Sequence, residues 1–570
     1  VIDFSDKTDK QIIDIILKNH TRLVDDRKDY EGLWDVETRI FLPRRLDMLR
    51  ESIRTHQKGQ QYGTRVYDGH PANAANKFAL GSLAHMMSRT MPWIQFVTSN
   101  IRLMKDDNVK KYVQAAAEQV LFGLNESDLY GQSVWFAKDS AVIGTGVNIP
   151  EEDIHGGRMH YETVHPRDSY IKRDRFGNLI TYHRPVKMTA IDAFSEFDED
   201  KLPAGLIRDA KAEGQGNPFK EYDFLYAVYK NASPKPNSLR SEDKPFKVFY
   251  VLQSGQRGGR TKKLVFKGGT RFEPNIWAYG AEPGCSYGTS IAADALTEGL
   301  QANKLGELLL TMVHRESDMP LEAPKLMKGL IQTNPAGRTY VPDKYVGKNT
   351  IKELFQRGNW PISDAQAQRL HETIDDKFFV PLWDALLTLE GPAMTATQVL
   401  QIQGNKAVLL SPVTESFESQ YLKKVVDNQW IFEEQIARRM PDVPDILLEP
   451  DNRKIETVFI GPLFQLQRAT MQTRGTINAL AVISDIGTMW PRSLLKINEM
   501  ELIEDAAIAQ GMKQTLIKSD DEVRAILEAQ AAAEQEQAAA ESAIEGAKVV
   551  PGLGKAVEPN SPLELAGVTE

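Results

Sequence analysis

The sequence predicts an α+β fold, mainly helical, and three observations carry the prediction. Apolar residues recur at three- and four-residue spacing over long stretches of the first quarter and the second half. Between about Gly144 and Ala281 the pattern changes to alternation with period two, broken by Gly-rich turns, which reads as antiparallel strands. With 570 residues the chain is too long for one hydrophobic core, so two to four domains or subdomains are expected.

The first helix is placed from about Thr8 to Phe41 by Ile12, Ile13, Ile16, Leu17, Tyr30, Leu33, Trp34, Ile40 and Phe41, and Pro43 ends it. A basic, polar stretch leads to a second helix with Ala75, Phe78, Ala79, Leu83, Met86 and Met87 on one side. An extended segment at Met91 to Phe96 follows, then helices near Asn108–Leu124 and Gln132–Val142. In the β region, strands are expected at Met159–Val164, Tyr170–Arg173, Leu179–His183, Phe224–Tyr229, Lys247–Leu252, Lys263–Phe266 and Asn275–Tyr279. A polar helical insert near Ile191–Gly214 interrupts them.

The chain is organised around the stretch Pro283 to Glu316. Ile291, Ala295, Leu296, Ala302, Leu305, Leu309, Met312 and Val313 fall at helical spacing, and Thr289 or Ser290 can cap the start. Such a helix would be roughly 40 Å long. Gly299 and Gly306 sit inside it, seven residues apart. Because an interior glycine costs about 1 kcal/mol relative to alanine, the pair suggests close approach of a neighbouring backbone. Residues Pro320–Trp360 hold seven bases (Lys325, Lys328, Arg338, Lys344, Lys348, Lys352, Arg357) against three acids, a compact basic excursion. A helix at Ser363–Leu389 returns, with Leu370, Ile374, Phe378 and Leu382 on one side. Two long helices bracketing a small insert make an antiparallel pair that presents something at one end. Beyond a loop at Gly391-Pro392, a helical run extends to about Met440, and Pro412 predicts a kink or break in it. A strand at Ile455 becomes a helix after Gly461-Pro462; Asp520–Ile544 reads as an Ala-, Glu- and Gln-rich helix, and Pro551–Glu570 as a tail.

Composition and charge narrow the function. The single cysteine, Cys285, excludes an intrachain disulfide and Cys-based zinc sites. No apolar run approaches the ~18 residues of a membrane span, and the N-terminus lacks signal-peptide character, which argues against export and membrane insertion. The net charge is −9, but from Asp520 onward eleven acids face three bases, a net of −8, so the body is near neutral. Nothing here grips nucleic acid with a strongly basic domain; any DNA is passed along rather than held.

Catalytic readings are weak. Gly284-Cys285-Ser286-Tyr287-Gly288 matches G-x-S-x-G in letters, yet Pro283 precedes it and the chain after it is mostly helical, with only His314 and His371 available. A Ser286-dependent hydrolase stays as an alternative, as does a non-viral oligomeric scaffold. No Walker A string occurs, and the basic run 255–263 between two strands reads as a hairpin tip. No H-x-x-x-H pair occurs, and Asp25/Asp26 and Asp106/Asp107 read as solvated helix ends rather than metal ligands. Neither a metal nor a cofactor is expected.

Four marks then point to one family: the run from Tyr67 to Phe96 (YDGHPANAANKFALGSLAHMMSRTMPWIQF), a Tyr-Gly pair leading into a long helix with Leu296 and Asn303, GPAMTATQV at Gly391–Val399, and IGPL at Ile460–Leu463. In order and at these separations the chain, from about Trp34 to Gly487, resembles the head-to-tail connector, or portal, proteins of short-tailed phages. The resemblance implies a non-enzymatic ring, usually of twelve copies, at one capsid vertex, with a channel for double-stranded DNA. Its wing would be 1–143 (helical) and 144–282 (β). The stem helices would be 283–316 and 362–389, and the clip 317–361. A channel loop at 390–396 would contain Glu390, Gly391, Pro392, Ala393, Met394 and Thr395. A long kinked helix would return to the wing over 397–460, followed by a crown at 461–519, the helix 520–550 and a tail at 551–570. The partners implied are the terminase motor and then a tail adaptor, docked by the seven clip bases, together with the major capsid and scaffolding proteins. Gly299 and Gly306 would serve stem packing, and the setting would be the virion, with the host cytoplasm during assembly.

Overall fold

The computed structural model describes residues 2–4, 6–43, 45, 66–100, 103–104, 106–153, 156–235, 240–253, 262–282, 284–317, 321–323, 325, 328, 331, 340, 352–353, 360–387, 410–449, 454–468, 523, 525–526, 528–533 and 535. Helix and sheet are mixed in it. The chain forms two compact units. One comprises Val1–Ile94, Glu118–Met440 and Phe459–Val482; the other comprises Gln95–Ala117, Pro441–Val458 and Ile483–Glu570.

In the first unit, α1 (Asp9–Phe41) starts where the Thr8 N–H donates to Gln11 Oε1 at 3.0 Å. After it come α2 (His70–Met86), α3 (Asp107–Glu126, whose second half belongs here) and α4 (Leu129–Ile143). Gly144 ends α4 in the left-handed region (φ 78°), and a Cβ there would lie 2.2 Å from the Thr289 carbonyl oxygen, so glycine is required twice over. Two antiparallel sheets follow. The smaller has the order β3 (Arg158–Val164), β2 (Thr145–Asp153), β9 (Asn275–Ala278). The larger runs β4 (Tyr170–Arg173), β5 (Leu179–Thr189), β6 (Glu221–Lys230), β7 (Phe246–Leu252), β8 (Lys263–Thr270).

Period-two alternation gives the larger sheet two apolar faces. Leu225, Ala227, Tyr229, Phe249, Val251 and Leu264 pack under Phe4, Ile12, Ile13 and Ile16 at the start of the chain. On the opposite face Tyr222, Phe224, Leu252 and Val265 meet Ala190, Ala193, Phe197, Leu202 and Leu206. Those last residues come from α5 (Ala190–Glu196), α6 (Ala204–Ala210) and the chain around them. Each fully buried side chain of this size contributes about 1.5–3 kcal/mol. The helical insert expected near Ile191–Gly214 is thus present as two short helices, laid across the sheet as its second cover. The strand expected at Leu179–His183 is longer, reaching Thr189. β4 pairs with β5 only as far as His183, so Pro185 lies where one flank of β5 is open and its missing N–H breaks no ladder. Further on in α1, the buried Arg27 donates to the carbonyls of Pro166, Arg167 and Ser169, fixing the turn before β4.

The long central helix appears as α7 (Ile291–Asp294) and α8 (Leu296–Ser317), separated by Ala295. α9 (Trp360–Lys377) returns antiparallel to α8, and β10 (Leu321–Glu322) pairs antiparallel with β11 (Lys352–Glu353). The expected single helix at Ser363–Leu389 is broken: Phe379 takes φ 55°, and α10 (Val380–Leu387) follows. Pro412 occupies the first turn of α11 (Ser411–Phe417), where its missing N–H costs nothing. The helical run continues through a π turn (Glu418–Leu422), α12 (Lys423–Ile431) and a second π turn (Phe432–Ala437), ending at Arg438 with φ 53°. Tyr421 stacks on Phe136 at 4.0 Å and Phe417 meets Trp277 edge to face at 4.7 Å, seating this run on α4 and β9.

In the second unit, β1 (Ile94–Thr98) pairs with β12 (Ile455–Phe459), extended by Ser99 N–H donating to the Lys454 carbonyl. The first half of α3 and α13 (Asp445–Leu448) also belong to it. α14 (Pro462–Arg468) follows Gly461-Pro462 in the first unit. The described residues among 523–535 are helical and exposed or half-buried. No described helix is long and apolar enough to cross a membrane.

Candidate functional site

The α8–α9 pair holds the residues singled out from sequence. Of the two candidate caps, Ser290 acts: its Oγ accepts from Ala293 N–H at 2.7 Å, while Thr289 Oγ1 donates to the Gly280 carbonyl. A Cβ on Gly299 would lie 2.8 Å from Phe41 Cζ and 3.0 Å from Ile40 Cγ2, so the last turn of α1 fits into the gap. A Cβ on Gly306 would lie 3.1 Å from the Tyr67 carbonyl oxygen. Both glycines thus admit close neighbours from the same chain, side chains at one and backbone at the other.

Asn303, between the two glycines, accepts the Tyr67 N–H at 2.7 Å, so residues 67–70 are held against α8. From there His70 stacks on His371 of α9, ring centroids 4.1 Å apart, with His70 Nε2 3.0 Å from Asp375 Oδ1 and His371 Nε2 2.6 Å from Asp68 Oδ2. At the far end of α9, Lys377 Nζ lies 2.7 Å from Glu298 Oε1 and donates to the Asp294 carbonyl. The hydrogen bond from Lys377 lowers the Glu298 pKa. Sequence reading missed this clasp. Asp68 and His70 lie some three hundred residues from His371 and Asp375, and only the i,i+4 spacing within α9 hinted at a shared face. Beyond the break, Phe378 packs on Phe41 and Trp383 on Phe78, and a Cβ on Gly81 of α2 would come within 2.7 Å of Trp383 Cγ.

Where α1 meets the Ser290 cap, Glu37 is buried, its Oε1 accepting from Ser290 Oγ at 2.8 Å. Burial pushes its pKa up to about 8, the hydroxyl bond opposes that, and Asp294 adds to it. At neutral pH this carboxyl is therefore mostly protonated.

The G-x-S-x-G letters serve packing. Ser286 Oγ accepts the Arg173 N–H at 3.4 Å and buried Tyr287 accepts the Ile171 N–H at 3.1 Å, so the loop pins β4. The strand before the motif, β9, belongs to an antiparallel sheet, whereas a nucleophile elbow needs a parallel one. Asp25 and Asp26 lie within α1, not at a helix end, where Lys28 and Lys172 pair with them. Asp106 caps α3, accepting from Asn108 and Val109 N–H. Among the described residues no cluster of three or more His, Cys, Asp or Glu could hold a metal ion.

Of the basic excursion, Lys325 and Lys328 are exposed and Lys352 lies on β11 opposite Glu322. Arg338, Lys344, Lys348, Arg357, the loop residues Glu390 to Thr395 and most of the run 255–263 lie outside the described residues.

Comparison with known proteins completes the assignment. Residues 14–517 match the family described as bacteriophage head to tail connecting protein, and the chain belongs to that family. It is 22% identical over 549 residues to the portal protein of Salmonella phage epsilon15, covering 94% of each chain. To the probable portal protein of Bordetella phage BPP-1 it is 23% identical over 548 residues, covering 95% of each. Its function is that of a viral portal, and the family is structural rather than enzymatic.

Proposed function

We propose that copies of this chain close into a ring, of twelve by the family's habit, at one capsid vertex, and that double-stranded DNA is packaged and later ejected through its centre. The α8–α9 pair carries this reading. Leu300, Leu308, Leu310 and Val313 stand about half exposed at different points around α8, so one copy alone leaves several large apolar side chains of this helix in water. Neighbouring copies in a ring would cover them. On this reading α7–α8 and α9–α10 form the stem, and the basic segment 317–361, closed at its base by β10 and β11, forms the clip that docks the terminase motor and afterwards the tail adaptor. The two sheets and the first four helices form the wing, 390–396 the channel loop and 461–519 the crown, with capsid and scaffolding proteins around them. The near-neutral body suits a conduit, since DNA carries one charge per ~1.7 Å and a strongly basic wall would hold it. Class-averaged electron microscopy of the purified protein tests the proposal. A closed ring with a hole passing a ~20 Å duplex is expected; particles that stay monomeric at every concentration, with scaffold present, would overturn it.

A further inference from the structure

Between β4 and β5 the chain turns through Asp174 to Asn178, and this tip is held by hydrogen bonds of its own. Asp174 Oδ1 accepts from Phe176 N–H at 2.8 Å and Asn178 N–H at 2.9 Å, and Asp174 Oδ2 from Asn178 Nδ2 at 3.2 Å. The backbone closes the turn with Gly177 N–H donating to the Asp174 carbonyl. On it stands Phe176, 73% exposed, with the Arg175 guanidinium 4.5 Å over its ring. Arg175 makes no ion pair among the described residues. Phe219, 76% exposed, differs: the cation beside it, Lys220, is already paired with Asp209 at 2.6 Å.

The second unit offers a counterpart, a cleft of about 680 Å³ between the start of α3 and the segment leading into α13. That size is within the ~300–1,000 Å³ of clefts that bury drug-sized molecules, ample for one aromatic side chain. Half-exposed Val443 and Ile446 supply apolar wall, and Asp106, Asp442 and Asp445 line it, against one base, Lys111. Asp442 and Asp445 have no ion-pair partner among the described residues. An ordered aromatic knob with an unpaired cation and an apolar cleft with unpaired carboxylates are complementary in shape and charge. They are different surfaces, so their union is head-to-tail, the kind of contact that closes into rings.

We propose that the Arg175–Phe176 knob of one copy seats in the Asp442/Asp445 cleft of the next, with Phe176 against Val443 and Ile446 and Arg175 beside the carboxylates. The contact rests on the ring reading and adds the residues that join neighbouring copies. Mass photometry across a concentration series tests it with charge reversal. Arg175→Glu, and separately Asp442→Arg with Asp445→Arg, should raise the concentration for half-assembly by roughly tenfold or more. All three substitutions together should restore much of the loss. These side chains are exposed, and circular dichroism confirms that each variant is folded. Wild-type rings matched by Arg175→Glu at every concentration, or a triple variant worse than either parent, would overturn the contact while leaving the ring intact. Wild-type protein that forms no ring overturns the ring reading and the contact with it.

Discussion

Glu37 shows how a single buried carboxyl ties stability to pH. Its pKa rises on folding from about 4.5 to about 8, so the folded chain binds the proton more tightly. Stability contributed here is full below pH 4.5 and is lost as pH rises toward 8, beyond which the loss levels off. Glu37→Gln keeps a hydrogen-bonding partner for Ser290 without the charge. The difference in thermal midpoint between variant and wild type should be small near pH 5, grow in the variant's favour up to pH 8 and then flatten; a difference independent of pH would refute the assignment. Gly299 supplies a steric counterpart. An alanine methyl there meets a fully buried Phe41 ring, so Gly299→Ala should destabilise by about 1–3 kcal/mol in denaturant melts. Phe41→Leu in the same chain should recover part of that, and strictly additive losses would point to another cause.

Elements were legible where one periodicity dominated. α1 declared itself through Ile12, Ile13, Ile16, Trp34 and Phe41, and the β4–β5 turn through Asp174, Gly177 and Asn178. β2 was missed because it is buried over Thr145–Pro150 and pairs on both sides, so it shows little alternation. β5 runs past the expected end at His183 and through Pro185, which only the pairing pattern explains, since it shows that one flank is open there. The break at Phe379 had a local sign in Pro381, which has no N–H to offer the Lys377 carbonyl and so sits in the first turn of α10, while Phe378 and Trp383 on either side pack onto α1 and α2. The long-range clasp of His70, His371, Asp68 and Asp375 left only the i,i+4 spacing of His371 and Asp375 as a local sign. For the segment proposed as the clip, the prediction rests on charge. Lys344→Glu, Lys348→Glu and Lys352→Glu together should weaken motor or adaptor binding, most visibly at low salt, while ring counts stay unchanged. Lost rings would make these residues structural instead.

On the scale of the whole molecule, charge is separated along the chain: a near-neutral body and a terminal stretch of net −8 from Asp520 onward. A ring multiplies that stretch by its copy number, and on the portal reading it forms a strongly negative zone at the crown, facing packaged DNA. Truncation before Asp520 should change the rate or extent of packaging in a reconstituted motor assay. Unchanged packaging would remove the role. Family membership itself was legible because the marks between Tyr67 and Leu463 keep their order. The residues joining one copy to the next were not, since a sequence carries no direct sign of which exposed side chains meet.

The α8–α9 pair is fastened twice, by Lys377 on Glu298 at one end and by β10 on β11 at the other. A hairpin tied at a single end can slide, one helix creeping past its partner. Tied at both, it shifts only as a rigid bar. A push along its axis would then be transmitted to whatever sits beyond each end instead of being absorbed as slippage, so on the portal reading the pair would relay mechanical force between the segment proposed as the clip and the rest of the first unit.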